Sequence, residues 1–204
     1  RSGAPSASVS SPPRLSAETP PSARELPAAP RGESLAGMRV LVVDDNHFQL
    51  RVVKASLNRS GVELDAAVHG KEAVDLVAKR LERPSLDAPT TSSSLYDVIL
   101  MDSMMPVMDG CAATIEIRKL EKTFRASLPP ALTSAGGAFE REMVIIGLSA
   151  EAGPEYEAGA RAAGMDGALG KPCRPDALRD ALRKVNEGTF NSWKASSKRG
   201  TLHF

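Results

Sequence analysis

Cysteine is scarce. The chain has two, Cys111 and Cys173, in 204 residues. With a single pair available, a disulfide framework is not the design. There is no CxxC and no Cys/His cluster, so nothing has the spacing of a structural zinc site. That cysteine usage fits a reducing, intracellular compartment, and a cytoplasmic location is expected. No apolar run approaches the roughly 20 residues of a membrane span, so no membrane contact is expected in this segment. Charge of one sign is also lacking. The formal net charge is +1, which gives no overall drive toward nucleic acid. No GxGxxG follows the first apolar run, which removes a dinucleotide-binding fingerprint. None of the three His lies in a long helical hairpin, so no kinase phosphodonor helix is visible. Acids are absent after Glu187, while Lys194, Lys198 and Arg199 follow. Residues 189–204 therefore read as a flexible basic tail.

What is present divides the chain in three. Residues 1–36 are dense in Pro, Ser and Ala without periodicity. They cannot bury enough apolar area to offset ordering entropy, and read as a disordered linker. The chain begins at Arg1 rather than Met, which reads as a fragment of a longer protein. From 37 to 188 the pattern is that of a folded domain. "MRVLVVDD" (38–45), "VELDAAV" (62–68), "YDVILM" (96–101), "MVIIGLSA" (143–150) and "DGALG" (166–170) are short apolar runs suited to strands. Helical spacing falls between them. Leu50, Val53 and Leu57 align within 46–60, with Gly61 as the stop. Ala73, Val77 and Leu81 align within 70–81, and Ala113, Ile117 and Leu120 within 109–122. Residues 155–164 form an Ala-rich helix that Gly159 weakens by about 1 kcal/mol, the least stable of the set. Pro175 opens a last helix with Leu178, Leu182 and Val185 facing in. Two stretches, 83–94 and 125–140, are rich in turn residues and read as mobile loops. Strands alternating with helices point to an open parallel α/β sheet with right-handed crossovers and helices on both faces.

In such a sheet the ligand site lies at the carboxyl ends of the strands. The first strand ends in Asp44-Asp45, the third runs into Asp102, the fourth ends in Ser149 and the fifth leads to Lys171-Pro172. Three carboxylates, a hydroxyl and an ammonium would converge. Carboxylates that close must take up protons or hold a cation. Oxygen-only ligation suits Mg²⁺. One carboxylate can still attack phosphorus, and positioned positive charge is what phosphoryl transfer needs.

This set resembles the receiver (response-regulator) domain of two-component and phosphorelay signalling. The resemblance runs from about Met38 to Glu187. It rests on Asp44-Asp45, on "MDSMMPVMDG" around Asp102, on "LSAEA" at 148–152 and on "KP" at 171–172. The separation of Ser149 and Lys171 (171 − 149 = 22) also matches. The resemblance implies a flavodoxin-like, doubly wound five-stranded sheet of order 2-1-3-4-5. It implies that Asp102 accepts a phosphoryl group from a phosphohistidine on a histidine kinase or histidine phosphotransfer protein. Asp44, Asp45, Asp102 and the Met104 backbone carbonyl would hold Mg²⁺, while Ser149 and Lys171 engage the phosphate. A cis Lys171–Pro172 bond is implied too. Such a domain catalyses only its own phosphorylation, and a C-terminal receiver fused to a hybrid histidine kinase is one arrangement.

The sequence departs from the family at one informative place. An aromatic usually stands three residues before the lysine, and here Ala168 does. A muted or rerouted switch is expected. The positions two past the acceptor and two past the hydroxyl are Met104 and Glu151. Met cannot orient a water, so fast self-hydrolysis is not expected. An aspartyl-phosphate phosphatase of the haloacid-dehalogenase type is the wrong match, because Met104 takes the place of its second Asp and the acid pair comes first rather than last. A degenerate receiver acting as a phosphorylation-independent binding platform is the alternative reading. Met101, Met104, Met105 and Met108 are expected as core filler, Cys111 and Cys173 as small buried hydrophobes, and His47 as an exposed early-helix residue.

Overall fold

The computed structural model describes residues 35–82, 95–134, 139–150 and 153–190. The expected linker up to residue 34, the loop at 83–94, Glu151 and the tail from 191 lie outside the described residues. Five strands form one sheet: β1 (Arg39–Val43), β2 (Glu63–Ala67), β3 (Val98–Asp102), β4 (Val144–Ser149) and β5 (Gly167–Gly170). Their order is β2-β1-β3-β4-β5 and every neighbouring pair is parallel, the flavodoxin-like arrangement.

The apolar runs of β1, β3 and β4 are apolar on both sides because both faces are covered. Side chains alternate between two cores. Leu41, Val43, Ile99, Met101 and Ile145 pack on one face with residues of α2 (Gly70–Glu82), α3 (Gly110–Ser127) and α5 (Pro154–Ala163). Val40, Val42, Val98, Leu100, Ile146 and Leu148 pack on the other with α1 (His47–Leu57) and α6 (Pro175–Asn186). A single turn, α4 (Pro130–Thr133), lies between α3 and β4. The helix faces follow the spacing in sequence: Val53 and Leu57, Ala73 and Val77, and Leu178, Leu182 and Val185 are all buried. Asn46 caps α1, its side chain accepting from the Phe48 and Gln49 amides. Among the described residues no helix is long and apolar enough to cross a membrane.

Three local expectations need correction. First, β3 begins at Val98, not Tyr96. Tyr96 is buried ahead of the strand, its hydroxyl donating to Asp65 Oδ2 at 2.7 Å beneath the Arg80 guanidinium. Second, the stretch 125–140 is not simply a polar mobile loop. Its first residues complete α3, α4 follows, and Phe139 is buried with its ring edge-on to Phe124 at 5.2 Å. One apolar ring gives that segment enough buried area to dock. Third, Leu120 is only half-buried, and the neighbouring Glu121 is the buried residue. The cysteines also differ from expectation: both are half-buried, Cys111 against the α2/α3/α5 core and Cys173 against the α1/α6 core, on opposite sides of the sheet.

Glu121 is tolerated in the core because both its oxygens are engaged. Oε1 accepts the Met143 amide at 2.7 Å and Oε2 accepts Arg118 Nη1 at 2.7 Å. Arg118 also donates to the Met143 carbonyl at 2.7 Å, the Gly164 carbonyl at 3.0 Å and Asp166 Oδ2 at 2.6 Å. The network ties α3 to the start of β4 and to the α5–β5 turn. Breaking one partner of a buried pair strands the other. Glu121→Ala is therefore expected to lower the free energy of urea unfolding by about 3 kcal/mol, and a loss below about 1 kcal/mol would place the pair with ordinary surface bridges.

Candidate functional site

Parallel strands deliver all their carboxyl ends to one edge. Asp44 follows β1, its amide bonded to the Ala67 carbonyl of β2 at 3.1 Å. Asp102 is the last residue of β3 and lies opposite Leu148 in register. Ser149 ends β4 opposite Gly170, and Lys171 follows, its amide bonded to the Ser149 carbonyl at 2.7 Å. Asp44 is 2% exposed and Asp102 6%, so both carboxylates are held in the protein rather than in water. Asp45 is exposed and Ser149 is buried.

One cation bridges the two buried acids. Lys171 Nζ stands 2.7 Å from Asp44 Oδ2 and 2.8 Å from Asp102 Oδ1. Asp44 Oδ1 accepts the Asn46 amide at 3.0 Å, which fixes the carboxylate's orientation. A carboxylate oxygen from each of Asp44, Asp45 and Asp102 lies within 4.8 Å of the other two. Three acids thus face one ammonium. Burial pushes the Asp102 carboxyl above the usual range, and Lys171, which works in the other direction, does not overcome it. Burial also disfavours the Lys171 ammonium, but its hydrogen bonds to Asp102 and Asp44 outweigh that and hold it above its ordinary value. Among the described residues the site is short of positive charge and offers only oxygen ligands. A hard divalent cation of the Mg²⁺ class fits it.

The turn after Asp102 is packed without slack. A Cβ on Gly110 would overlap the Asp102 carbonyl oxygen, so only glycine lets α3 start this close to the strand end. The Gly110 amide bonds the Ser103 carbonyl at 3.1 Å, and Asp109 caps α3 through the Ala112 amide at 2.7 Å. Val107 has φ +69° with the Met108 amide on the Pro106 carbonyl at 2.8 Å, a γ-turn that a β-branched residue rarely adopts. Met101 is buried, Met105 and Met108 are half-buried, and Met104 is 81% exposed, so Met104 is not core filler. Met104, whose carbonyl the resemblance offers as a further ligand, opens this turn. The Lys171–Pro172 bond is cis. His47 is exposed at the start of α1.

Two residues at the site escaped the sequence reading. Ser103 is buried directly after Asp102, and Tyr156 reaches it from α5 with 2.9 Å between the hydroxyl oxygens. The readable signal was Gly147 inside an otherwise bulky buried strand, a mark of close approach by another group.

An open parallel sheet with a recessed acid cluster and a strand-end lysine at its carboxyl edge defines an α/β domain with a site suited to a hard cation. The family profile described as response regulator receiver domain matches residues 40–183, and the chain belongs to that family. It is similar to histidine kinase CKI1 of Arabidopsis thaliana, 38% identical over 122 residues, covering 58% of this chain and 11% of the kinase. It is also similar to hybrid signal transduction histidine kinase B of Dictyostelium discoideum, 33% identical over 147 residues, covering 72% of this chain and 6% of that protein. The chain therefore spans a small part of these relatives. Among solved structures, the CKI1 receiver domain complexed with Mg²⁺ and BeF₃⁻ aligns with TM-score 0.59 and 34% identity over 75% of this chain and 92% of that one. The receiver domain of sensor histidine kinase PA1611 from Pseudomonas aeruginosa, with a magnesium ion in its active-site cleft, aligns with TM-score 0.53 and 28% identity over 74% and 99%.

Gly110→Ala should force the Asp102 carbonyl or α3 to move. The expected cost is about 2 kcal/mol in thermal or urea unfolding. An unchanged midpoint would mean that the close approach is not needed.

Proposed function

We propose that this receiver domain takes a phosphoryl group from a phosphohistidine onto Asp102. The observation that carries the reading is the pairing of Asp102, the last residue of a wholly buried strand, with Lys171 at 2.8 Å beside two further acids. In the reaction an Asp102 carboxylate oxygen attacks phosphorus and the P–N bond breaks. The imidazole nitrogen keeps the bonding pair, and an acyl phosphate results. Holding the carboxylate at a rigid strand end reduces the entropy lost on the way to the transition state. Lys171 stays charged and moves its hydrogen bonds from carboxylate to phosphoryl oxygen, while the Ser149 hydroxyl donates to another. Asp44, Asp45 and Asp102 would hold Mg²⁺ with the Met104 carbonyl, and the ion when bound would neutralise charge on the carboxylates and phosphoryl oxygens.

The donor we propose is a histidine kinase or a histidine phosphotransfer protein. The kinase relatives support a receiver segment within a hybrid histidine kinase. The domain itself would catalyse no more than its own phosphorylation. The exposed Met104 side chain offers no group to orient a hydrolytic water, which supports a long-lived acyl phosphate.

The test is intact mass after incubation with acetyl phosphate and Mg²⁺. One added phosphoryl group is expected, labile to base, absent in Asp102→Asn and reduced at least ~100-fold in rate by EDTA. No adduct on folded protein would favour the binding-platform reading. An adduct that survives Asp102→Asn would move the acceptor elsewhere.

A further inference from the structure

The family's aromatic position before the lysine is occupied by Ala168. Ala168 pairs in register with Gly147 on β4, so two small residues sit side by side on the α5 side of the sheet. The space above Gly147 is filled from α5. A Cβ on Gly147 would overlap Tyr156 Oη and lie 2.8 Å from Met165 Sδ. The tyrosine hydroxyl thus rests on the backbone of β4, and it lies 2.9 Å from Ser103 Oγ. The Ser103 hydroxyl donates to the Leu148 carbonyl at 2.8 Å, and the Ser103 amide bonds the same carbonyl at 3.1 Å. A serine hydroxyl has one proton, so Tyr156 is the donor in the pair. Burial pushes the Tyr156 hydroxyl above its ordinary pKa, which keeps that proton in place. One hydrogen-bonded knot joins the residue after Asp102, the residue before Ser149 and the first turn of α5.

The helix on the far side of the knot is weakly held. Its N-cap, Gly153, makes no side-chain capping bond, and Gly159 sits exposed in its middle with open space around it. Its buried residues are Ala160 and Ala163, both small, so Tyr156 is the large side chain anchoring α5 to the sheet.

We infer that Tyr156 passes the phosphorylation state of Asp102 to α5, in place of a ring on β5. The inference rests on the proposed phosphoacceptor function. Phosphorylation adds charge at Asp102 and draws Lys171 and Ser149 toward the new oxygens. Ser103 and Leu148 are the covalent neighbours of Asp102 and Ser149, so a shift of either strand end changes the geometry at Tyr156 Oη. Gly147 leaves the ring no room to move toward the sheet. The change is taken up by α5.

Hydrogen exchange over residues 154–163, with and without Mg²⁺ and beryllofluoride, tests this, with phosphoryl uptake from acetyl phosphate followed by intact mass alongside. In the wild type the α5 amides should change protection about five-fold between the two states, the equivalent of one hydrogen bond. Tyr156→Phe keeps the ring and removes the donor. It should still take up a phosphoryl group at Asp102, while the state-dependent change in α5 collapses. Gly147→Ala, which displaces the hydroxyl from the sheet side, should give the same uncoupling. An α5 response that survives Tyr156→Phe overturns the inference alone. A wild type that takes up no phosphoryl group overturns the proposed function and this inference with it.

Discussion

Burying like charges at the ends of parallel strands is costly, and the rest of the site is arranged around that cost. Asp44 and Asp102 are withdrawn from water and lie close enough to share one ammonium. Two buried carboxylates without a cation would repel and protonate. Lys171 bridges them and offsets part of that repulsion, yet one positive charge does not balance three acids. The remaining deficit makes a divalent cation favourable. Structure and chemistry rest on the same imbalance.

Rigidity is distributed unevenly around that cluster. On the Asp102 side, Gly110 is pressed on the Asp102 carbonyl, and the Gly70 amide at the start of α2 bonds the Met108 carbonyl at 3.1 Å. The Arg118–Glu121 network fixes α3 against β4 and the α5–β5 turn. These contacts hold Asp102 still. On the other side, α5 has small residues, an uncapped start and one aromatic anchor. A fixed strand-end carboxylate beside a loosely held helix is a sound arrangement for a receiver domain, because elements that move come from the least stable part of a fold.

Most of the architecture could be read from sequence. Parallel strands buried on both faces leave plain apolar runs, as "VLVV" and "VILM" do, and their ends are where polar residues become conspicuous. Asp44, Asp45, Asp102, Ser149 and Lys171 were visible because each follows such a run. Glu121 was not, because a charged residue at a core position is allowed only by partners distant in sequence, here the Met143 amide. Phe139 was hidden in a polar stretch, since composition averages over the one ring that docks. Tyr156 was missed for a related reason. Its place depends on a gap at Gly147, nine residues away (156 − 147 = 9) and on a different element.

The most direct measurement is a crystal structure of this chain grown with Mg²⁺ and beryllofluoride. The account predicts a metal ion among Asp44, Asp45 and Asp102, the beryllium on an Asp102 oxygen, and Lys171 Nζ turned from Asp44 to a fluorine. A structure in which Lys171 still bridges Asp44 and Asp102, with neither ion in the cleft, would contradict it.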